Sequence, residues 1–392
     1  MIVTHLALTD FRNYEHLDVA LAAGANLFVG SNGQGKTNLV ESLGYLSTLG
    51  SHRVSSDQAM IRIGRDSAVI RARISHGERE VLAEVQLNRS GPNRAQVNRS
   101  AIKVRELPRY LSSVLFAPED VALVRGDPSG RRRFLDELLV LRNPRFSGVI
   151  GDYDRVLRQR NTLLKSARAT GNRGDRLSTL EIWDERLVTL GSELIEARSR
   201  LVAELEPEVT AAYLDVVGAD HRPRLASRLS IFGGDPDEDR EGGTRAGDSS
   251  PVPGATPVAA DDAAASFRES IVRLRRAELD RAITLVGPHR DDLVLGLNDM
   301  PARGYASHGE SWSLALALKL ASAQVLRRES TGGDPVLILD DVFAELDQSR
   351  REKLAASIGD FEQVLITAAV LDDVPDALIA NTVHIRGGTM VP

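Results

Sequence analysis

The sequence predicts an α/β protein, a mixed sheet with helices that is split by an inserted, mostly helical arm. Three observations predict it. Near the N-terminus an apolar strand, Asn26 to Gly30, enters a glycine-rich loop and a helix leaves it. From Leu293 onward strands alternate with helices, the pattern of a parallel sheet. Between those ends, Ser129 to Ala169 and Thr179 to Tyr213 carry long helical periodicity. The chain has 392 residues, room for roughly two to three domains. Its 42% hydrophobic content supports a real core and excludes a disordered chain or a small stapled scaffold.

Taken in order, Ile2 to Leu8, His16 to Leu21 and Asn26 to Gly30 read as strands, with a turn at Asp10 to Asn13. Asn38 to Leu49 reads as a helix, its apolar face made by Leu39, Val40, Leu43 and Leu46. Ser67 to Ser75 and Glu80 to Asn88 alternate as strands, and Ser90-Gly91-Pro92 turns the chain into Ala95 to Asn98. In the arm, Trp183, Leu187, Leu190, Leu194, Ala197 and Leu201 step by three or four and draw one apolar stripe. Gly171 to Gly174 separates its two helical stretches. Ser266 to Leu285 is helical, and Leu293 to Leu297 is a short strand closed by a turn at Asn298-Asp299. Glu310 to Arg327 and Asp347 to Ile358 read as helices, and Pro335 to Asp340, Gln363 to Thr367 and Thr382 to Arg386 as strands.

Composition narrows the chemistry. There is no Cys, which excludes a disulfide framework, a thiolate zinc site and a cysteine nucleophile. The eight His show no metal-ligand spacing. No apolar stretch is long enough to span a bilayer, and Met1 to Phe11 alternates like a strand and not like a signal peptide. A cytoplasmic protein without a membrane partner is expected. The net charge of −6 is unevenly spread. Residues 233–265 hold eight acids, two bases, six Gly, four Pro and seven Ala, with no Leu, Ile, Met or aromatic residue. They are expected to form a disordered insertion. Arg125 to Arg176 holds thirteen bases against six acids, a net of +7 and a candidate nucleic-acid surface.

Two motifs carry the chemistry. Gly30-Ser31-Asn32-Gly33-Gln34-Gly35-Lys36-Thr37 fits G-x-x-x-x-G-K-[ST], the P-loop, between the strand and the helix that this motif needs. The glycines let backbone amides face phosphate oxygens, Lys36 reaches the β/γ-phosphates and Thr37 holds Mg²⁺. Val336-Leu337-Ile338-Leu339-Asp340-Asp341 is a Walker B pattern, an apolar strand that delivers two carboxylates. Asp340 is expected at Mg²⁺ and Asp341 at the attacking water, so ATP and Mg²⁺ are the expected cofactors. Lys36 and Asp341 are the expected catalytic residues.

Lys36 and Asp340 lie about 300 residues apart, far wider than in compact P-loop kinases and GTPases. Ser307-His308-Gly309-Glu310, opening a long helix shortly before the Walker B strand, resembles the signature motif of ABC-type ATPases. In that reading Ser307 and Gly309 complete the nucleotide site of a second subunit; taken alone, the pattern is also a helix-capping motif. Ala344-Glu345-Leu346-Asp347 resembles the D-loop. The switch His usual after the next strand is missing, with Thr367 there instead, which argues against a transport ATPase.

Further motifs extend the resemblance. They are Phe11-Arg12-Asn13-Tyr14, Phe116-Ala117-Pro118-Glu119-Asp120, Gly126-Asp127-Pro128, Arg131-Arg132-Arg133-Phe134-Leu135-Asp136 and Gly287-Pro288-His289-Arg290-Asp291-Asp292. In this order they resemble the RecF family of SMC-like ABC ATPases over nearly the whole chain outside 233–265. His308 departs from the Gln frequent in that family, and Trp312 from a basic residue.

The resemblance implies an ABC-type P-loop ATPase head split by the arm. The head would comprise residues 1–118 and 280–392, the arm 119–232 with a return helix at 266–279. It also implies a weak, DNA-stimulated ATPase that binds single-stranded and gapped DNA and forms an ATP-dependent homodimer. It would act with RecR, RecO and RecA in recombinational repair, replication restart and the SOS response. Arg131, Arg132 and Arg133 are the expected DNA contacts. The alternative is a related ATPase that serves as a nucleotide-dependent scaffold without DNA.

Overall fold

The computed structural model describes residues 1–170, 175–233, 252–330 and 332–391. The N-terminal elements are β1 (Ile2–Phe11), β2 (Tyr14–Ala20), β3 (Gly24–Val29), α1 (Lys36–Thr48), β4 (Ser67–His76), β5 (Arg79–Asn88), β6 (Arg94–Val97), β7 (Ser100–Ile102) and β8 (Ser113–Phe116). Then come α2 (Ala122–Arg125), α3 (Pro128–Arg142), α4 (Phe146–Thr170), α5 (Asp175–Val217), β9 (Arg224–Arg228), α6 (Ala260–Arg281), β10 (Asp292–Leu297), β11 (Met300–Pro301) and the one-turn α7 (Ala302–Tyr305). The chain closes with α8 (His308–Glu329), β12 (Val336–Asp340), α9 (Gln348–Ile358), β13 (Gln363–Ala368), β14 (Thr382–Arg386) and β15 (Thr389–Val391). Among the described residues no helix is long and apolar enough to cross a membrane.

The chain divides into two compact units. The first comprises Met1–Val121, Ala211–Asp220 and Trp312–Pro392. It contains an antiparallel sheet ordered β2-β1-β4-β5-β6-β7 and a mixed sheet ordered β15-β14-β3-β13-β12-β8. In β4, Ala68, Ile70, Ala72 and Ile74 are all buried while their neighbours face outward, the alternation of a one-sided sheet. β12 and β13 are instead buried at every position, as central parallel strands are. Leu337, Ile338 and Leu339 are fully buried, each stabilising the unit by roughly 1.5–3 kcal/mol. β3 lies between β13 and β14, so N- and C-terminal strands interleave.

The second unit comprises Ala122–Thr210 and His221–Ser311. Its helices gather around Tyr153, Val156, Leu187, Leu194, Phe267 and Val286. A small antiparallel sheet, β11-β10-β9, completes it. Arg160 is fully buried and donates to Asp184, Glu278 and Thr284, an ionic core that ties α4, α5 and α6 together. Removing one partner of such a group leaves an uncompensated charge and costs about 3–5 kcal/mol.

Four sequence expectations differ from this picture. The stretch 129–169 is two helices, because Pro144 excludes Asn143 from helical geometry and α3 ends at Arg142. The return helix starts at Ala260, not 266, and ends where Ala282 turns left-handed (φ 58°), short of Leu285. The expected insertion is therefore too wide. Val252 and Ala263 are buried, and the Ala run that reads as low complexity is also the best helix former. Finally, residues 280–311 belong with the helical unit, because β10 pairs with β9 and Val286 joins that core. The break expected at Gly171 to Gly174 and the rest of the insertion, 234–251, lie outside the described residues.

Candidate nucleotide site

The first unit builds the site at the end of β3, whose Leu27, Phe28 and Val29 are buried. Gly30 is required by a close approach: a Cβ there would stand 2.3 Å from the Ile385 carbonyl oxygen of β14. Gly35 (φ 114°) is required twice, by its backbone and because a Cβ would stand 2.6 Å from the Asn13 amide. The loop is clamped from both ends of the chain. Asn13 Nδ2 donates to the Gln34 carbonyl at 3.1 Å and the Tyr14 hydroxyl to the Gly35 carbonyl at 3.0 Å. From the β14–β15 turn, the Gly388 amide donates to the Gln34 carbonyl at 3.0 Å and the Gly387 amide to Gln34 Oε1.

Lys36 is 6% exposed and curls into its own loop, donating to the carbonyls of Gly30 (2.6 Å) and Ser31 (3.3 Å). Burial lowers its pKa, and Asp341 and Asp340 oppose that shift. Thr37 Oγ1 donates to Asp340 Oδ1 at 3.1 Å, bringing the two expected metal residues together across the sequence. Thr367 Oγ1 donates to the same oxygen at 2.6 Å and accepts the Asp341 amide at 2.9 Å. Burial raises the Asp340 carboxyl, and the hydroxyls of Thr367 and Thr37 hold it down. Asp341 sits in the left-handed region (φ 54°), and its buried Oδ1 has no partner among the described residues. A hydroxyl and a carboxylate side by side, with an unsatisfied carboxylate oxygen next along the chain, suit a hard divalent cation such as Mg²⁺. The sequence places Thr367 where a switch residue would meet nucleotide. Its hydroxyl is instead fully buried and committed to the Walker B pair.

Sequence reasoning missed the support behind the P-loop helix. Glu41 on α1 is 1% exposed and receives a bidentate pair from Arg12, at 2.9 and 2.6 Å. The Ser51 hydroxyl also donates to Glu41. The signal was available: a carboxylate amid the apolar face of Leu39, Val40 and Leu43 demands a buried cation. This pair assigns the Phe11-Arg12-Asn13-Tyr14 motif its job, which is holding α1 and the loop.

In the second unit, Ser307 and Glu310 form a reciprocal capping box at the start of α8. The Ser307 amide donates to Glu310 Oε2 at 2.8 Å, and the Glu310 amide to Ser307 Oγ at 3.3 Å. Arg125 braces this turn, donating to Ser311 Oγ and the Ala306 carbonyl. Ser307, His308 and Gly309 are exposed. A Cβ at Gly309 would meet nothing within 4 Å, so nothing in this chain requires glycine there. Trp312, one of the family departures, belongs to the first unit, where it is 4% exposed and packs edge-on against Phe116. Asp347 of the D-loop pattern caps α9 through the Arg350 amide.

The expectation of a surface contact is corrected for Arg131, and the structure gives Arg132 and Arg133 partners within the chain. Arg131 is 3% exposed and forms a bidentate pair with Asp292 at 2.7 and 2.9 Å. Arg132 donates to the Asp291 carbonyl, and Arg133 pairs with Glu137 one turn along. Arg131 and Arg132 thus fasten α3 to the Gly287–Asp292 motif, while Arg133 pairs within α3 itself. Within that motif Tyr153 and His289 share a hydrogen bond of 2.7 Å, and Ser230 donates twice to Asp291. Burial depresses His289 to about 3 and raises Asp291 to about 6.

Residues 2–383 match the family model of the RecF/RecN/SMC N-terminal domain. The chain is 64% identical to the DNA replication and repair protein RecF of Clavibacter sepedonicus, covering 100% of this chain and 95% of that one. Its identity to the same protein of Leifsonia xyli subsp. xyli is also 64%, covering 100% and 99%. Among solved structures it resembles the recombination mediator protein RecF-ATPrS in the RecFOR pathway, with a TM-score of 0.83 and 26% identity over 99% of this chain and 97% of that one. An Smc head bound to the C-terminal winged-helix domain of ScpA shares the fold, with a TM-score of 0.53, 14% identity and coverage of 100% and 96%.

Proposed function

This chain belongs to the RecF family, with an ABC-type ATPase head fold, and from that premise we propose that it is an ATP-dependent DNA-binding protein of recombinational repair and replication restart. The observation that carries the reading is the pairing of Thr37 with Asp340 at 3.1 Å beneath a P-loop whose Lys36 is already turned inward. ATP is the nucleotide of the reading, since solved RecF relatives are described with ATP and ATPrS. Mg²⁺ would be held by Thr37 and Asp340 and would supply charge neutralisation at the phosphates.

In this reading Lys36 exchanges its carbonyl contacts for phosphate oxygens, and the amides of Ser31 to Gly35 cradle them. Asp341 orients the attacking water and accepts its proton. Ser307 and Gly309 meet the nucleotide of a second copy. Glycine there lets a partner's phosphate approach the backbone, which is why no contact within this chain asks for it. ATP stabilises the closed dimer, which holds single-stranded or gapped DNA; hydrolysis is slow and opens it, so turnover is a switch. RecR, RecO and RecA are the partners in the same pathway, with RecA loading and SOS support the outcome.

The test is ATP-dependent binding to gapped DNA alongside single-turnover hydrolysis. Binding that strengthens with ATP, with turnover well below one per second, is expected. A nucleotide-dependent dimer that ignores DNA would replace this reading with that of a scaffold.

A further inference from the structure

The basic surplus of Arg125 to Arg176 needs a new explanation once Arg131 is buried. The cations from Arg125 through Arg133 are committed to the contacts described above. Arg142, Arg145 and Arg155 pair with Glu204, Glu193 and Asp152, and Arg160 lies in the ionic core. Among the cations of this stretch whose side chains are described, three remain: Arg158, Lys165 and Arg168. All three are exposed, all lie on α4, and none has a bonded partner among the described residues.

Their positions on the helix are i, i+7 and i+10, which at 3.6 residues per turn fall within an arc of about 80°. The buried residues of α4, Tyr153, Val156, Arg160, Leu164 and Ala167, lie on the opposite side. Gln159 and Thr162, both exposed, flank the strip on the side of Arg158 away from Arg168. The acids of α4, Asp152 and Asp154, sit toward its N-terminal end, where Arg158 lowers the Asp154 carboxyl against the effect of burial. From Arg158 to Lys165 and Arg168 the strip is cationic and uninterrupted by acids.

We propose that this outward face of α4 is a DNA docking strip, with Arg158, Lys165 and Arg168 each contacting a backbone phosphate. It rests on the DNA-binding reading above and assigns that reading a surface. The ten residues from Arg158 to Arg168 rise about 15 Å. That matches about four nucleotides of one duplex strand at 3.4 Å each. The face has no aromatic to stack on a base, so it reads the backbone and not the sequence. Protein partners fit it poorly, because stable protein interfaces centre on apolar or aromatic anchors, which this strip lacks.

The experiment titrates gapped duplex DNA against the full chain with ATP over a series of salt concentrations. The proteins are the unaltered chain, the triple variant Arg158→Gln/Lys165→Gln/Arg168→Gln, each single variant, and Arg133→Gln as a control whose charge is already paired. Melting temperature and ATP affinity are followed in parallel. The triple variant is expected to bind at least about tenfold more weakly, with a salt slope shallower by about 2 to 3. Each single variant should lose about 1 of slope, with melting and ATP binding unchanged. Arg133→Gln should bind DNA as the unaltered chain does. An unchanged slope in the triple variant overturns the strip while DNA binding itself stands. An equal loss in Arg133→Gln overturns it as well, since any lost cation would then do. No DNA binding by the unaltered chain overturns the underlying reading and the strip with it.

Discussion

Replacing Thr367 by Val isolates the clamp behind the Walker B carboxylates. Val keeps the β-branched shape and removes the hydroxyl. Two bonds depend on that hydroxyl: the 2.6 Å donation to Asp340 and the 2.9 Å acceptance from the Asp341 amide. Asp340 is 2% exposed, so water does not replace the first. A hydrogen bond to a charged group contributes about 1.5–3 kcal/mol net. The second is partly retained, because the Asp341 amide also reaches the Thr367 carbonyl at 3.3 Å. The loss should therefore total about 2–3 kcal/mol, shared between folding stability and the affinity for Mg²⁺ and ATP. Expressed wholly at the site, that is roughly a 30- to 150-fold weaker complex. Thermal melting without nucleotide and ATP titration with Mg²⁺ measure the two shares. Thr367→Ser, which keeps the hydroxyl, should recover most of the loss. The clamp is refuted if Val behaves as Thr in both assays, or if Ser is no better than Val.

Four further outcomes follow from the same geometry. Lys36→Ala should lose ATP affinity, because the cation folded onto Gly30 and Ser31 is removed; unchanged binding in an equilibrium titration would contradict the P-loop assignment. Asp341→Asn should keep the fold and lower single-turnover hydrolysis, since Asn tolerates the left-handed backbone; Asp341→Glu should lower the melting temperature, reflecting strain of about 1 kcal/mol. Gly309→Ala should leave melting unchanged or raised, because Ala favours the helix, yet weaken ATP-dependent dimers in light scattering. Ser307→Arg should block those dimers without weakening ATP binding to the single chain.

Two opposed groups, His289 and Asp291, contribute to the pH dependence of the second unit, beside Asp136 and Asp154, whose carboxyls burial also raises. His289 is depressed from 6.5 to about 3, so its contribution to stability is present above pH 6.5 and is lost as pH falls toward 3. Asp291 is raised from 3.8 to about 6, so its contribution is full below pH 3.8 and is lost as pH rises through 6. Between about pH 4 and 6 the two nearly cancel. His289→Gln should expose the Asp291 effect, with melting higher at pH 5 than at pH 7. Asp291→Asn should expose the opposite slope. Melting curves of the two variants that run parallel with pH would contradict the assignment.

What was legible in the sequence was local. The P-loop announces itself within eight residues, and β12 reads as a buried strand because all its positions are apolar up to Asp340. The hidden parts depend on partners far apart in sequence. Arg12 meets Glu41 only because β1 and α1 pack, and Thr367 meets Asp340 only because β12 and β13 run parallel. β8 and β9 are short segments whose strand character comes from their neighbours in the sheet. Arg131 misled because a run of three arginines looks like a surface, while the acid that buries it, Asp292, stands 161 residues away. The Ala-rich start of α6 misled for the converse reason: composition alone does not separate a spacer from a helix.

The interleaving of the mixed sheet has a consequence for synthesis. β3 is flanked by β13 and β14, strands made more than 300 residues after it. At roughly 5–20 residues per second, β3 waits on the order of tens of seconds for its neighbours. Throughout that time its Leu27 and Phe28, fully buried in the finished chain, have no flanking strands, and the P-loop lacks the β14–β15 turn that holds Gln34. The nascent chain therefore has no complete nucleotide pocket until β13, β14 and the β14–β15 turn have been made. ATP cannot help the early chain to fold, and protection of the waiting strand falls to the antiparallel sheet already made or to chaperones.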